Sequence, residues 1–449
     1  MKHETYLPRS CPRAYHWGNL KLATLLLTTF LQLGMVFLQA QEESILNKLD
    51  VDVHGFLDAR AGTRIQDDSN EKSTSMGEAR FQLSLERIGD LSTVQIRADF
   101  IHDDIPGKKT LNIDEGTGAV DLREASVLFS PAMFADIKFG RQILTWGTGD
   151  LLFINDMFPK DWQSFFTGRD EEYLKAPSDA IMVSLFPAFA NIDIAYVPRF
   201  DSDRYISGDR ISYWNPMIGS LAGRNAVIDP DKPDEWFDDD EVSLRLSRNI
   251  LRYEVAAYGY IGFWKNPVGM DPLVMNAFFP ELSVYGASIQ GPLGDALMKL
   301  EAGYYDSSED RSGDEPFIPN SETRILVGYE REFFRNFSVG IQHYVEFMHN
   351  YNDYKNSLLT DQAARDEDRH VTTLRLVQSI LNQNLRLSLF VYYSFSDKDA
   401  YLRPSINYKV TDAWRLTVGG NIFEGKENHT FFGQFEKNSN IYAGARYSF

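Results

Sequence analysis

The sequence predicts an all-β fold: a single antiparallel up-and-down β-barrel of about eighteen strands (sixteen at the fewest) that crosses a membrane. Three observations predict it. Segments of about ten residues alternate apolar and polar side chains along the whole chain beyond residue 50. Their connections alternate strictly between short turns and longer polar stretches. The one long apolar run lies close to the N-terminus, which leaves closed strands as the means of crossing a bilayer.

The N-terminus comes first. Arg9, Arg13 and Lys21 precede an apolar run over residues 22–38, and Leu38-Gln39-Ala40 offers a small residue for cleavage. This is the layout of a secretory signal peptide over 1–40, followed by a short periplasmic segment over 41–50 and a barrel over 51–449. A retained anchor fits less well, because the run has only 17 residues and contains Thr24, Thr28, Thr29 and Gln32. The only cysteine, Cys11, lies within the leader, so thiol catalysis and cysteine–metal sites drop out of the processed chain. Cleavage removes four basic side chains and one acid and moves the net charge from −19 to −22. Nucleic acid is excluded as a partner on that charge.

The alternating segments then follow at 51–60, 78–88, 92–102, 120–130, 134–143, 179–187, 190–199, 240–248 and 251–263. The second half continues at 281–290, 296–306, 322–331, 336–347, 369–380, 384–395, 400–409, 413–423 and 440–449. Short turns are expected at Gly89-Asp90, Ser130-Pro131, Pro187, Arg248-Asn249, Gly291-Pro292, Arg335-Asn336, Asn382-Gln383-Asn384 and Thr411-Asp412. Longer polar stretches alternate with them, the shortest at 396–399. Short periplasmic turns in phase with long extracellular loops belong to transmembrane barrels and place both ends on the periplasmic side. Segments 120–130 and 134–143 are the least regular: Arg141 shares parity with Ile137 and Phe139, which calls for a bulge or a change of phase.

In the last segment Ile441, Ala443, Ala445, Tyr447 and Phe449 share one face, and Tyr442, Gly444, Arg446 and Ser448 the other. This ending resembles the closing strand of outer-membrane β-barrels, in which a terminal Phe preceded by alternating apolar residues is the usual assembly signal. The resemblance implies that the barrel-assembly machinery recognises Phe449. If apolar faces meet lipid, the alternate positions line the interior, and arginines predominate there. Arg245, Arg252, Arg375, Arg386, Arg403, Arg415 and Arg446 are the candidate pore-lining residues, and the last five of these have no inward acid assigned on their segments. Such a wall favours anions, or else supplies the polar filling a wide barrel needs.

The long connection 144–178 is rich in aromatics and glycine where an outward loop would be plainly polar. Trp146, Asp150, Asn155, Asp156, Phe158 and Trp162 mark it as a packed segment, folded into the lumen as a constriction or plug or else capping the rim or lying on a neighbouring subunit. Gly140-Arg141-Gln142, Trp146-Gly147, Asn155-Asp156 and Pro159 together resemble a G-R-Q-x₃-W-G segment of proteobacterial outer-membrane proteins. These are similar in layout to the eighteen-stranded alginate-export porins. The resemblance implies a substrate-conducting barrel whose Arg-rich lumen favours anionic solutes. By contrast, the acid-rich connection 200–239 reads as a solvated, self-repelling loop.

No catalytic residue, cofactor or metal ligand set is expected. His102 and His370, near outer strand ends, have no serine partner, and no G-x-S-x-G or H-E-x-x-H pattern occurs. Two function classes follow. One is an outer-membrane channel, general or anion-selective, for passive passage of small hydrophilic solutes. The other is a structural or adhesive barrel with an occluded lumen and partner-binding loops. An outer-membrane hydrolase ranks below both. Outer-membrane lipid and lipopolysaccharide are the expected surroundings in each.

Overall fold

The computed structural model describes residues 50–106, 111–113, 116, 118–359 and 364–449; the leader and most of the 41–50 segment fall outside them. Eighteen strands form one sheet in up-and-down order, and the first pairs with the last. In chain order they are β1 Asp52–Arg64, β2 Thr74–Ile88, β3 Ser92–Asp103, β4 Val120–Ala132, β5 Ala135–Gln142, β6 Ser178–Leu185, β7 Asn191–Val197, β8 Glu241–Ile250 and β9 Tyr253–Phe263. They continue as β10 Glu281–Leu293, β11 Ala296–Ser307, β12 Glu322–Phe334, β13 Phe337–Met348, β14 Asp368–Ile380, β15 Leu385–Ser394, β16 Asp399–Lys409, β17 Trp414–Gly425 and β18 Asn440–Ser448. Closure leaves no unpaired edge. At the seam Leu57, Ala59 and Ala61 face Tyr447, Ala445 and Ala443, and Gly55 and Phe449 exchange two backbone hydrogen bonds of 3.1 and 3.0 Å.

The apolar face points outward. Val242, Leu244 and Leu246 on β8, Leu416 and Val418 on β17 and Ile441 on β18 are all exposed, and their alternate neighbours Ser243, Ser247, Thr417 and Tyr442 are buried. That pattern suits a wall facing hydrocarbon. The chain adds a feature at the short turns, whose apolar tips stand clear of the barrel: Met133, Phe189, Leu251, Phe334, Leu381 and Val410 are exposed, Leu251 at 94 %.

Three turns fall later than expected. Ser130-Pro131, Arg248-Asn249 and Gly291-Pro292 all lie within strands, and the chain reverses at Met133-Phe134, Leu251-Arg252 and Gly294-Asp295. Ladder pairing runs on past the breaker residues (Pro292 still faces Leu297), and left-handed φ at Leu251 (57°) and Gly294 (62°) makes two of the reversals. Arg141 keeps the phase of β5. It lies opposite Ala125 and Asp179 and forks onto the Asp179 carboxylate at 2.9 and 2.8 Å, so its charge is paired at the outer rim. The bulge lies on the neighbouring strand β4, where Arg97 faces Glu124 and Ala98 faces Leu122.

Inside the half that carries the long loops, the inward positions of β9–β17 mix buried polar groups such as Glu301, Thr373 and Asn421 with an unexpected set of apolar side chains. Tyr260, Leu282, Val284, Tyr305, Leu326, Tyr344, Phe390, Tyr392, Tyr401 and Phe423 form a buried cluster with Ile154, Phe165, Phe166 and Leu174 from the insert between β5 and β6. The barrel therefore has a hydrophobic core in its lumen, and the insert is part of it.

Candidate functional site

The insert, residues 143–177, is shaped by its own caps. Asp161 accepts the Ser164 N–H at 2.7 Å and starts a short helix, α1 Trp162–Thr167; Gly168, at φ 97°, ends it. This turn presents Phe165 and Phe166 on one side. Phe166 packs edge-on against Tyr401 and Phe423, with ring centroids at 5.3 Å in both cases, and Tyr401 stacks on Phe423 at 4.4 Å. Offset and edge contacts of this kind add to the burial of large rings. Tyrosine hydroxyls on the wall then take up insert carbonyls: Tyr392 donates to Leu151 at 2.8 Å, and Tyr305 to Ile154 at 2.5 Å.

Glu301 of β11 holds the base of the insert. Its buried carboxylate accepts five hydrogen bonds: from the Thr148 N–H (2.7 Å) and hydroxyl (2.9 Å), the Gly149 N–H (3.1 Å), and the Asn155 N–H (2.9 Å) and side-chain amide (3.0 Å). A buried carboxylate persists only with such satisfaction. Close approach there needs glycine on the wall. Gly286 and Gly303 face one another on β10 and β11, and a Cβ at Gly286 would stand 1.8 Å from Asn155 Oδ1. Next to it, the Asp150 backbone exchanges two hydrogen bonds with Gln342 (2.8 and 2.9 Å), and its carboxylate pairs with Arg375 at 2.7 Å.

The opposite wall, β1–β4, meets the insert through charge. Arg60 reaches Asp170 at 2.6 Å and the Gly168 carbonyl at 2.7 Å. Arg169 reaches Glu78 of β2, and the Tyr173 hydroxyl donates to Asp99 of β3 at 2.9 Å beneath the Arg80 guanidinium. Burial alone would raise the Asp170 carboxyl, but Arg60 and Arg446 outweigh it and hold the group below its usual range.

The first part of a second loop, residues 200–213, also turns inward, which corrects the solvated reading there; Asp229, Asp231, Asp234, Glu235 and Asp238 further along remain exposed, as a solvated loop requires. Asp203 accepts the Lys160 N–H and the Trp162 indole N–H, both at 2.7 Å, and the Asn266 amide at 2.9 Å. Arg204 pairs with Asp121 at 2.8 Å, and Arg210 with Asp103 at 2.6 Å. Burial pushes the Asp201 and Asp203 carboxyls up to about 6, helped at Asp201 by Glu241. The acid count concealed these pairings because the partners lie on β3 and β4, about a hundred residues away. The signal available in the sequence was the run Arg210-Ile211-Ser212-Tyr213, basic and apolar among acids.

The residues expected to form the site are distributed as follows. Trp146 packs edge-on against Phe158 at 4.9 Å; Asp156 pairs with Lys160 at 3.0 Å. Arg245 pairs with Asp193 and Glu254, Arg403 lies over Phe165 within 3.8 Å of Glu171, and Arg446 reaches Asp58, Asp170 and Glu172. Arg252 sits in the Leu251-Arg252 turn and not on a strand, because β9 begins at Tyr253. Arg386 and Arg415 are exposed and make no ion pair among the described residues. His102 and His370 face outward; His370 lies 3.3 Å from His343, and His102 3.3 Å from Asp104.

No family model matches the sequence, and no curated protein matches it. Solved structures do match in shape. OccAB4 of Acinetobacter baumannii superposes with a TM-score of 0.54 at 9 % identity, over 89 % of this chain and 98 % of that one. OccAB3 of the same organism gives 0.52 at 12 % identity, over 89 % and 99 %. OccD3 of Pseudomonas aeruginosa gives 0.51 at 10 % identity, over 89 % and 91 %. At these identities the likeness is one of fold: a closed eighteen-stranded barrel of the outer-membrane porin type.

Proposed function

We propose that this barrel is a passive outer-membrane channel for small hydrophilic solutes, with a preference for anions set below the insert. Arg386 and Arg415 carry the reading. Both occupy inward positions near the periplasmic ends of β15 and β17: Arg386 is opposite Asn407, and Arg415 is opposite Arg446, whose side chain reaches the insert. Both are exposed inside a closed wall, and neither has a carboxylate within ion-pair distance among the described residues. Unpaired guanidinium groups in a wetted lumen lower the barrier for anions. Above them the insert's carboxylates Asp150, Asp170 and Glu171 are matched by Arg375, Arg60 and Arg403, so the constriction itself is close to neutral.

Planar-bilayer recording of the refolded barrel tests this. Steady current with a reversal potential on the anion side supports it, and silence from correctly folded protein sinks it. Silence would favour a second reading, a structural or adhesive barrel with an occluded lumen, which the aromatic core and two inward loops support. Neither reading includes a catalytic step. In both, lipid and lipopolysaccharide surround the wall and the assembly machinery reads Phe449; deleting Phe449 is expected to lower the inserted fraction in cells.

A further inference from the structure

Three segments distant in sequence meet at the extracellular rim around a cleft of about 700 Å³. They are the β1–β2 loop, the hairpin Tyr213–Asn215 with Ser220–Ala222, and the loop between β17 and β18. Their junction is fixed by a buried polar network. The Asn438 carbonyl oxygen accepts from Ser212 N–H at 3.2 Å and its amide donates to the Ser212 hydroxyl at 2.9 Å; that hydroxyl donates to Asp68 at 2.6 Å. Asp68 also accepts the Asn70 N–H at 2.9 Å, and the Trp214 N–H is held by Gln434 at 3.1 Å. With those groups satisfied internally, the cleft is preorganised.

The side chains at its mouth are not used in this way. Asp67, Ser69, Ser220, Asn428 and Lys437 line the cleft around Trp214, and none makes a side-chain hydrogen bond or ion pair among the described residues. The set therefore offers one aromatic surface ringed by free donors and free acceptors. Charge narrows the ligand. Asp67 and Asp68 repel an anion, Lys437 stands against a bare cation, and an apolar molecule would find only Trp214 and Leu221. A ring with an apolar C–H face and hydroxyls around its edge meets all the requirements at once.

We infer that this cleft binds a neutral sugar ring, either in a free oligosaccharide or in a surface polysaccharide. The inference does not depend on the barrel conducting. The test is saturation-transfer NMR on the full refolded barrel in detergent. The probes are a neutral hexose trisaccharide, a galacturonate trimer and delipidated lipopolysaccharide polysaccharide. Transfer to the ring protons of the trisaccharide and none to the galacturonate is expected. Transfer to the polysaccharide alone identifies the surface glycan as the source. Trp214→Ala should reduce the signal about tenfold and Trp214→Phe should keep most of it, while the exposed substitution Asn428→Ala weakens it without touching the buried network. Absence of transfer to both neutral probes overturns the assignment, as does equal transfer to native protein and to Trp214→Ala of native fold.

Discussion

One insert is held from two sides by different physics. Against β15–β17 it docks through edge-on rings, Phe165 and Phe166 on Tyr392, Tyr401 and Phe423. Against β1–β4 it docks through ions, Asp170 and Arg169 on Arg60 and Glu78, with Tyr173 beneath Arg80. The burial of these rings involves no titrating charge and is indifferent to pH. The ionic side fixes register, and it gains only while every buried charge keeps its partner. The ring side supplies adhesion and the ionic side supplies position.

Glu301→Ala should release the base of the insert, on which both sides depend for position, since it leaves five insert donors without their acceptor. A loss of roughly 3–5 kcal/mol is expected, read as early unfolding in urea and protease entry within 143–177. Phe166→Ala isolates the ring side: about 3–4 kcal/mol from the lost volume, with the same loss at pH 5 and pH 8. Asp170→Asn isolates the ionic side, at about 2 kcal/mol.

The two sides also separate by pH. Asp201 and Asp203 sit above their unfolded values, so they bind a proton earlier when docked, and docking strengthens as pH falls from 7 through about 6. Asp170 sits below its unfolded value. Its contribution is complete above about 4 and is lost as pH falls further. Amide protection across 160–175, corrected for the intrinsic exchange rate at each pH, should thus be highest near pH 4–5; a monotonic profile of protection would contradict this balance. The smallest structural effect belongs to Arg386→Gln with Arg415→Gln. Unfolding should be unchanged and the reversal potential should move toward zero, whereas Arg403→Gln, which also removes a cation from the Phe165 ring, should loosen the insert.

Much of this was legible beforehand. All eighteen strands were visible because outward positions must be apolar at every second residue; the even count puts both ends on one side, and closure follows because hydrocarbon cannot satisfy an open edge. The infolding of 143–177 was visible because Trp146, Phe158 and Trp162 need burial. The interior of the wall was not visible: Tyr305, Tyr392 and Phe423 break the simple rule of apolar outside and polar inside, and only the insert they touch explains them. Nor could Arg252 be placed, since a turn whose first residue is a leucine at positive φ carries no breaker signal.

That leucine has a consequence for how the molecule sits. Holding Leu251 in a left-handed backbone costs about 1 kcal/mol or more, and leaving its side chain in water forgoes about 2 kcal/mol. Dipping the tip into the acyl boundary recovers the second and so outweighs the first. With Met133, Phe189, Phe334 and Leu381 spaced around the same rim, any tilt lifts some tips out of lipid and is resisted. A ring of apolar tips on one rim would thus act as ballast, setting the depth and the upright stance of the barrel.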